Sequence, residues 1–332
     1  GHIKECSEIV RRNRGIEVDV HRVDAFKKDR KVLEQLKSGE TNGCFYIESP
    51  AMRGLLTKLR CECYRTLVAA SSIIRPGVAQ SGMMREYIQR FHHPESFEYL
   101  HPIMEEQLQE TFGVMVYQED VIKICHHFAG LDLADADVLR RAMSGKYRSR
   151  KEFDRISDRF FENCRLRGYP DGLTQEVWRQ ISSFAGYSFS KAHSASFAVE
   201  SFQSLYLKAH YPLEFMTAVI NNFGGYYRTW VYFNEACRWG GIIHLPCVNR
   251  SNNMTSIRGK DIFIGFIHIQ NLEQQVAGMI TGERDLHGPF SSLEDFLERV
   301  PLGLEQVIIL IRINALRFTG KSKKELLWDA HL

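Results

Sequence analysis

Apolar positions recur every three to four residues through the middle of the chain, and the runs they form are bounded by helix-start and helix-stop residues. The spacing predicts helices over Val121 to Ala129, Ala136 to Ser144, Glu152 to Arg167, Gln175 to Ala185, Ser194 to Ala209 and Leu213 to Asn222. Asp135 before and Gly145 after one of them, and Gly168 with Pro170 after another, mark the ends. Upstream, Met52, Leu55, Leu56 and Leu59 share a helical face behind Ser49-Pro50, an N-cap followed by proline at the first helical position. The first 40 residues are polar and helical in pattern. Their isolated anchors Ile9, Val10, Val32, Leu33 and Leu36 read as a lead-in (1–42) rather than a core. Gly43 to Glu48 and Val114 to Val116 read as short strands. At Phe223-Gly224-Gly225-Tyr226-Tyr227 the texture changes to short strands such as Asp261 to Phe266 and short helices around Leu293 to Arg299. The fold class expected is therefore mainly α. It comprises an elongated multi-helix part over 43–222, a connector over 223–247 and a smaller mixed α/β region over 248–332.

Length and composition narrow the classes. At 332 residues, the chain has room for two domains or one large elongated one and can bury a substantial core without covalent staples. No apolar run approaches the roughly 18 to 20 residues of a membrane helix, so no membrane partner is expected. Eight cysteines are scattered, with no apolar signal segment ahead of them, which points to free thiols in a reducing cytoplasm. Cys61-Glu62-Cys63 lacks a second ligand pair at zinc spacing. The adjacent pairs His92-His93 and His126-His127 point about 100° apart on a helix and cannot comfortably share one ion.

Lys and Arg number 43 against 40 Asp and Glu, so any polyanion-binding role must come from clustering. The densest cluster is Arg140, Arg141, Lys146, Arg148, Arg150 and Lys151, six cations without a carboxylate between residues 140 and 151. Such a run is either a solvated face or an anion site. Arg140 and Arg141 sit within the mostly apolar Val138 to Met143, which favours a guanidinium fork held in place. Asp132, Asp135 and Asp137 invite a two-metal reading, but Asp135 and Asp137 diverge at a helix start, and capping with macrodipole complementarity explains them. Ser188-Phe189-Ser190-Lys191-Ala192-His193-Ser194-Ala195-Ser196-Phe197 places a Lys, a His and several hydroxyls ahead of a helix N-terminus. That text suits a phosphate or an ordinary Ser-rich cap equally. Ile74-Arg75-Pro76-Gly77 and Tyr117-Gln118-Glu119 are further polar turns, open to either a surface or a binding role.

An ordered series of motifs resembles the fingers region of bacterial C-family DNA polymerases, the polymerase III alpha subunit. It comprises Gly43 to Ser49 with Met52-Arg53-Gly54-Leu55-Leu56, Arg75-Pro76-Gly77 with Ser81-Gly82-Met83, Thr111-Phe112-Gly113-Val114, Tyr117-Gln118-Glu119, Leu139 to Met143 and Phe189 to Ala195. The likeness continues more loosely through Pro246 to Ser251 and Gly288 to Phe296 into a helix-hairpin-helix region, the start of a clamp-binding part. The resemblance implies an incoming dNTP whose triphosphate meets Arg140 and Arg141, with Lys146, Lys191 and His193 in the same cleft. Lys191 or His193 would protonate the leaving pyrophosphate. Candidate DNA contacts are Arg75, Tyr117, Gln118, Arg148, Arg150 and Lys151.

The catalytic palm, with three aspartates binding Mg²⁺, is expected upstream of the matched residues, as is a histidinol-phosphatase-like domain. Neither those residues nor a metal site is expected in this chain, which would be inactive alone. Primer-template DNA, the thumb and the rest of the polymerase chain, the sliding clamp and other replisome subunits are the implied partners. Two departures stand out. The family's Asn-Lys-Ser-His is Ser190-Lys191-Ala192-His193 here. The glycine, apolar, glycine hairpin is Asn271-Leu272-Glu273, whose carboxylate would repel phosphate. The alternatives are a non-enzymatic nucleic-acid-binding module using residues 140 to 151 and a metal-dependent hydrolase built from the His and Cys residues.

Overall fold

The computed structural model describes residues 1–75, 78–79, 81–143, 150–183 and 190–331. The described residues are 64% helical, with 18 α-helices and one small three-stranded mixed sheet, so the mainly-α class holds. No helix among them is long and apolar enough to cross a membrane. They divide into two compact units, residues 22–205 and residues 1–21 with 206–332. The glycine–aromatic break at residue 223 lies inside the latter.

In the 22–205 unit, the helices predicted from periodicity are present with shifted ends: Gln118–His127, Leu133–Met143, Arg150–Leu166, Asp171–Ser182 and the start of Lys191–His210. Ser49 caps Pro50–Leu59 by accepting the Met52 N–H at 3.3 Å, as its Ser-Pro text predicts. Helices 118–127, 150–166 and 171–182 meet through aromatic rings. Phe128 stacks on Tyr169 at 4.4 Å, and Phe160 lies 4.9 Å from Trp178. Phe128 and Phe160 are completely buried.

Two predicted strands are absent. Over 43–48 the chain turns instead, because side chains satisfy its backbone. Ser204 Oγ accepts the Phe45 N–H and Ser201 Oγ donates to the Phe45 carbonyl, while Glu48 takes the Gly43 N–H at 2.7 Å. Over 114–116 the Thr111 hydroxyl donates to the Val114 carbonyl at 2.6 Å, and Asp120 Oδ2 accepts the N–H groups of Val116 and Tyr117 at 2.9 Å each. Side chains have replaced the sheet partner. The cap of helix 133–143 is also one turn earlier than predicted. Asp132 Oδ1 accepts the Asp135 N–H at 2.8 Å, which frees Asp135 to bind Arg155 at 3.0 Å and Arg159 at 2.6 Å, fastening this helix to 150–166.

In the other unit, the anchors of the first helix, His2–Arg14, are core rather than lead-in: Cys6 and Val10 are fully buried and Ile9 nearly so. Val32 and Leu36, in the 22–205 unit, are likewise completely buried. Helix His2–Arg14 packs on Pro212–Asn221, where buried Glu214 takes hydrogen bonds from Asn13 at 2.7 Å and from Arg14 at 2.6 and 3.1 Å. The sheet has strands β1 (Ile242–His244), β2 (Ser256–Arg258) and β3 (Asp261–Phe263) in the order β1-β3-β2. Its β1-β3 pair is parallel and its β2-β3 pair antiparallel. The predicted strand from Asp261 stops at Phe263, since Gly265 passes within 2.5 Å, measured from a hypothetical Cβ, of the Met254–Thr255 backbone and starts a 3₁₀ turn. Helices Gln274–His287, Leu293–Arg299, Leu304–Arg312 and Lys323–Asp329 then enclose a core around Phe290 and Phe296, whose rings meet edge to face at 4.9 Å.

Candidate nucleotide site and hairpin

The first turn of helix Lys191–His210 organises two clusters in the 22–205 unit. Residues two apart on a helix point about 200° away from each other, so Lys191 and His193 leave in different directions. The structure does not bring them together.

Lys191 faces helix Gln118–His127. Its Nζ stands 2.5 Å from Glu110 Oε2 and 5.5 Å from the centroid of the Tyr117 ring, and its backbone N–H donates to Glu119 Oε2 at 2.9 Å. Next along the chain, Gln118 Oε1 accepts from Arg140 Nη1 at 3.0 Å. Arg140 also donates through Nε to Asp137 Oδ1 at 2.8 Å, and Arg141 pairs with Asp137 Oδ2 at 3.0 Å. Tyr117, Gln118 and Glu119 thus join Lys191 to the Arg140–Asp137–Arg141 group. Asp120, which holds the backbone of this turn, has its carboxyl pushed up to about 6 by burial, partly opposed by the two N–H groups it accepts. A cavity of about 440 Å³ opens beside Glu110 and Tyr117, floored by Tyr87, Phe91 and Phe112.

His193 belongs to the second cluster. Its ring lies 4.1 Å from Phe197, Phe197 lies 4.6 Å from Tyr46, and Arg75 donates to the Tyr46 hydroxyl with its guanidinium carbon 5.9 Å from that ring. Burial lowers the Arg75 pKa, countered in part by Tyr46. Tyr46 has a φ of 66°, which presents its ring to Phe197 at the cost of a left-handed backbone.

Of the remaining candidates, Lys146 and Arg148 lie outside the described residues. Arg150 is the first residue of helix 150–166, and Lys151 follows it, exposed. Glu110 was missed by sequence reasoning, as were the roles of Glu119, Tyr46 and Phe197. Glu110 borders the Thr111 to Val114 motif, the one local hint, while its partner is 81 positions away.

In the other unit, the hairpin Asn271-Leu272-Glu273 joins the 3₁₀ turn Phe266–His268 to helix Gln274–His287. Asn271 adopts φ 64°, the left-handed position at which glycine is commonest. The Glu273 N–H donates to Gln306 Oε1 at 2.9 Å, and Gln306 Nε2 returns a bond to the Asn271 carbonyl at 3.2 Å. Gln306 is only 8% exposed.

Comparison with known proteins shows the family. A profile of the bacterial DNA polymerase III alpha subunit finger domain matches residues 1–168, and a helix-hairpin-helix profile matches 240–326. The chain belongs to the bacterial DNA polymerase III alpha subunit family. It is 34% identical over 329 residues to an error-prone DNA polymerase of Mycobacterium tuberculosis, covering 98% of this chain and 30% of that protein. It is 32% identical over 329 residues to the DNA polymerase III subunit alpha of Aquifex aeolicus (98% and 28%) and 35% identical over 316 residues to that of Thermus aquaticus (92% and 25%). The chain therefore spans between a quarter and a third of the length of these relatives. Among the described residues, no group of three or more His, Cys, Asp or Glu side chains is placed to hold a metal ion.

Proposed function

We propose that these 332 residues are the fingers and the start of the helix-hairpin-helix region of a bacterial DNA polymerase, and that the Arg140–Lys191 side of the fingers receives the triphosphate of the incoming dNTP. The observation that carries this reading is that one short stretch of chain meets both cations: Gln118 Oε1 accepts from the Arg140 guanidinium, and the Lys191 ammonium lies 5.5 Å from the centroid of the Tyr117 ring. A polyanion bound there exchanges its oxygens for those of Asp137 and Glu110. The guanidinium offers two parallel N–H groups to phosphate, and the ammonium a point charge. Arg141 and Lys146 extend the same basic stretch.

The palm, with the aspartates and Mg²⁺ that supply nucleotidyl transfer, is placed in the part of the polymerase outside this chain. In that reaction the primer 3′-hydroxyl releases its proton to solvent, its oxygen bonds to the α-phosphorus, and the bond from that phosphorus to pyrophosphate breaks. The proton that pyrophosphate gains comes from Lys191, which is restored from solvent. Lys191 is preferred to His193 because it shares the Arg140 network. Primer-template DNA, the thumb and palm, the clamp and other replisome subunits complete the assembly. Arg75, Tyr117, Gln118, Arg148, Arg150 and Lys151 are assigned to the DNA and the nascent base pair. A primer-extension assay with the isolated chain and Mg²⁺ should yield no added nucleotide. Extension that survives purification and is abolished by substituting carboxylates of this chain would show that the catalytic centre is here.

A non-enzymatic nucleic-acid-binding module is the second reading, favoured only by the basic text between 140 and 151. It predicts DNA binding that is indifferent to dNTP.

A further inference from the structure

The stretch from Phe223 to Trp230 has no part in the nucleotide reading. Phe223, Tyr226 and Trp230 are 57%, 64% and 61% exposed, three large rings offered to solvent within eight residues. Large apolar rings exposed together are a feature of contact surfaces. The rings are held out by ordered backbone. The Phe223 N–H donates to the Ile220 carbonyl at 3.2 Å and the Gly224 N–H to the Val219 carbonyl at 3.3 Å, with Phe223 at φ 46° and Gly225 at φ 110°. The Tyr227 N–H donates at 3.1 Å to the hydroxyl of buried Tyr232, and Tyr226 meets Tyr227 edge to face at 5.2 Å. Phe223 rests 5.1 Å from the His268 ring, which Phe233 also contacts at 6.0 Å.

Charge completes the picture. Arg228 is exposed between Tyr226 and Trp230, and no carboxylate occurs from 222 to 234. The next one, Glu235, is buried and bound to Lys208 at 3.2 Å and Arg238 at 3.0 Å. Aromatic faces interleaved with a cation suit bases and phosphates. The choice of a polyanion follows from charge: the exposed cation is Arg228, and residues 222 to 234 hold no carboxylate to repel a phosphate.

We propose that Phe223, Tyr226, Arg228 and Trp230 form a stacking surface for the unpaired bases of single-stranded nucleic acid. Aromatic faces accept any base, and the guanidinium takes the backbone phosphate. The test is fluorescence anisotropy of a labelled oligo-dT of about 12 nucleotides, within the site sizes of known stacking grooves, titrated with the whole chain. Binding is expected to exceed that of a duplex of equal length. Alanine at Phe223, Tyr226 or Trp230 should weaken it about fivefold or more, Trp230→Phe should retain it, and Arg228→Ala should flatten its salt dependence. Arg140→Ala and Lys191→Ala should leave it unchanged, which separates this surface from the nucleotide site. The proposal is overturned if the folded chain binds no oligo-dT, or if a Phe223→Ala/Tyr226→Ala/Trp230→Ala variant with unchanged circular dichroism binds it as well as the parent. It is equally overturned if those substitutions abolish only a self-association seen by sedimentation.

Discussion

Lys191 Nζ lies 2.5 Å from Glu110 Oε2, and the backbone N–H of the same residue is capped by Glu119 at 2.9 Å. Two carboxylates therefore stand where the proposed site would hold phosphate. Both members of the Lys191–Glu110 pair are partly exposed, at 44% and 38%, so the pair is worth little and yields to a stronger anion. Glu110→Gln should raise the affinity for dNTP or inorganic tripolyphosphate by about two- to fivefold, measured by calorimetry. An unchanged affinity, with Lys191→Ala still damaging, would show that Glu110 does not compete with the nucleotide.

The hairpin at 271–273 carries a prediction about duplex DNA. Its Glu273 N–H, the group a helix-hairpin-helix would turn toward phosphate, is taken by Gln306. Gln306→Leu strands a donor and a carbonyl and should lower stability by about 1 to 3 kcal/mol in urea unfolding. Placing glycines at 271 and 273 should strengthen duplex binding by the whole chain and steepen its salt dependence. If the parent chain binds duplex tightly and the same substitutions weaken it, the hairpin is a phosphate contact as it stands.

Asp120 gives a pH signature. Its carboxyl titrates at about 6 in the folded chain against 3.8 in the unfolded one, because burial penalises the charge more than the Val116 and Tyr117 N–H groups favour it. Between these values the folded state binds the extra proton, so stability falls as pH rises from about 4 to about 6. The loss is on the order of 3 kcal/mol and persists above that window. Asp120→Asn keeps an acceptor for the turn and should remove this part of the dependence. Urea midpoints that follow the same pH curve in both proteins would contradict it.

The cysteines separate by burial. Cys61 and Cys125 have thiols pushed up to about 12 and Cys164 to about 11 by desolvation, whereas Cys63 and Cys237 are exposed. Iodoacetamide at pH 8 should add two groups quickly, at Cys63 and Cys237, and the rest only on unfolding. Rapid modification of Cys125 or Cys164 in native protein would mean that the 118–166 core opens.

The helices were readable because leucine and valine spacing and Ser-Pro or Gly punctuation are local signals. Misread segments are those whose backbone or cap is settled by a particular side chain that the local pattern does not single out, far along the chain or near. The 43–48 text alternates like a strand, but its backbone is satisfied by Ser201 and Ser204, about 156 residues on. The 114–116 text is apolar like a strand, but Asp120 folds back on it. Asp135 has the composition of a cap, yet Asp132 caps and Asp135 binds two arginines. In the candidate site, Arg140 and Lys191 were visible as charge in unusual text. Glu110 was not, because nothing local distinguishes it from a solvated glutamate.

The most direct test of the account is the affinity of the whole chain for a dNTP, measured by calorimetry for the parent, Arg140→Ala, Lys191→Ala and His193→Gln. The account predicts weak but measurable binding, displaced by tripolyphosphate. Each of the first two substitutions should reduce it about tenfold or more, as expected for a lost charge-assisted hydrogen bond, and His193→Gln should change it little. Equal affinity across the parent, Arg140→Ala and Lys191→Ala would contradict the claim that this side of the fingers holds the triphosphate.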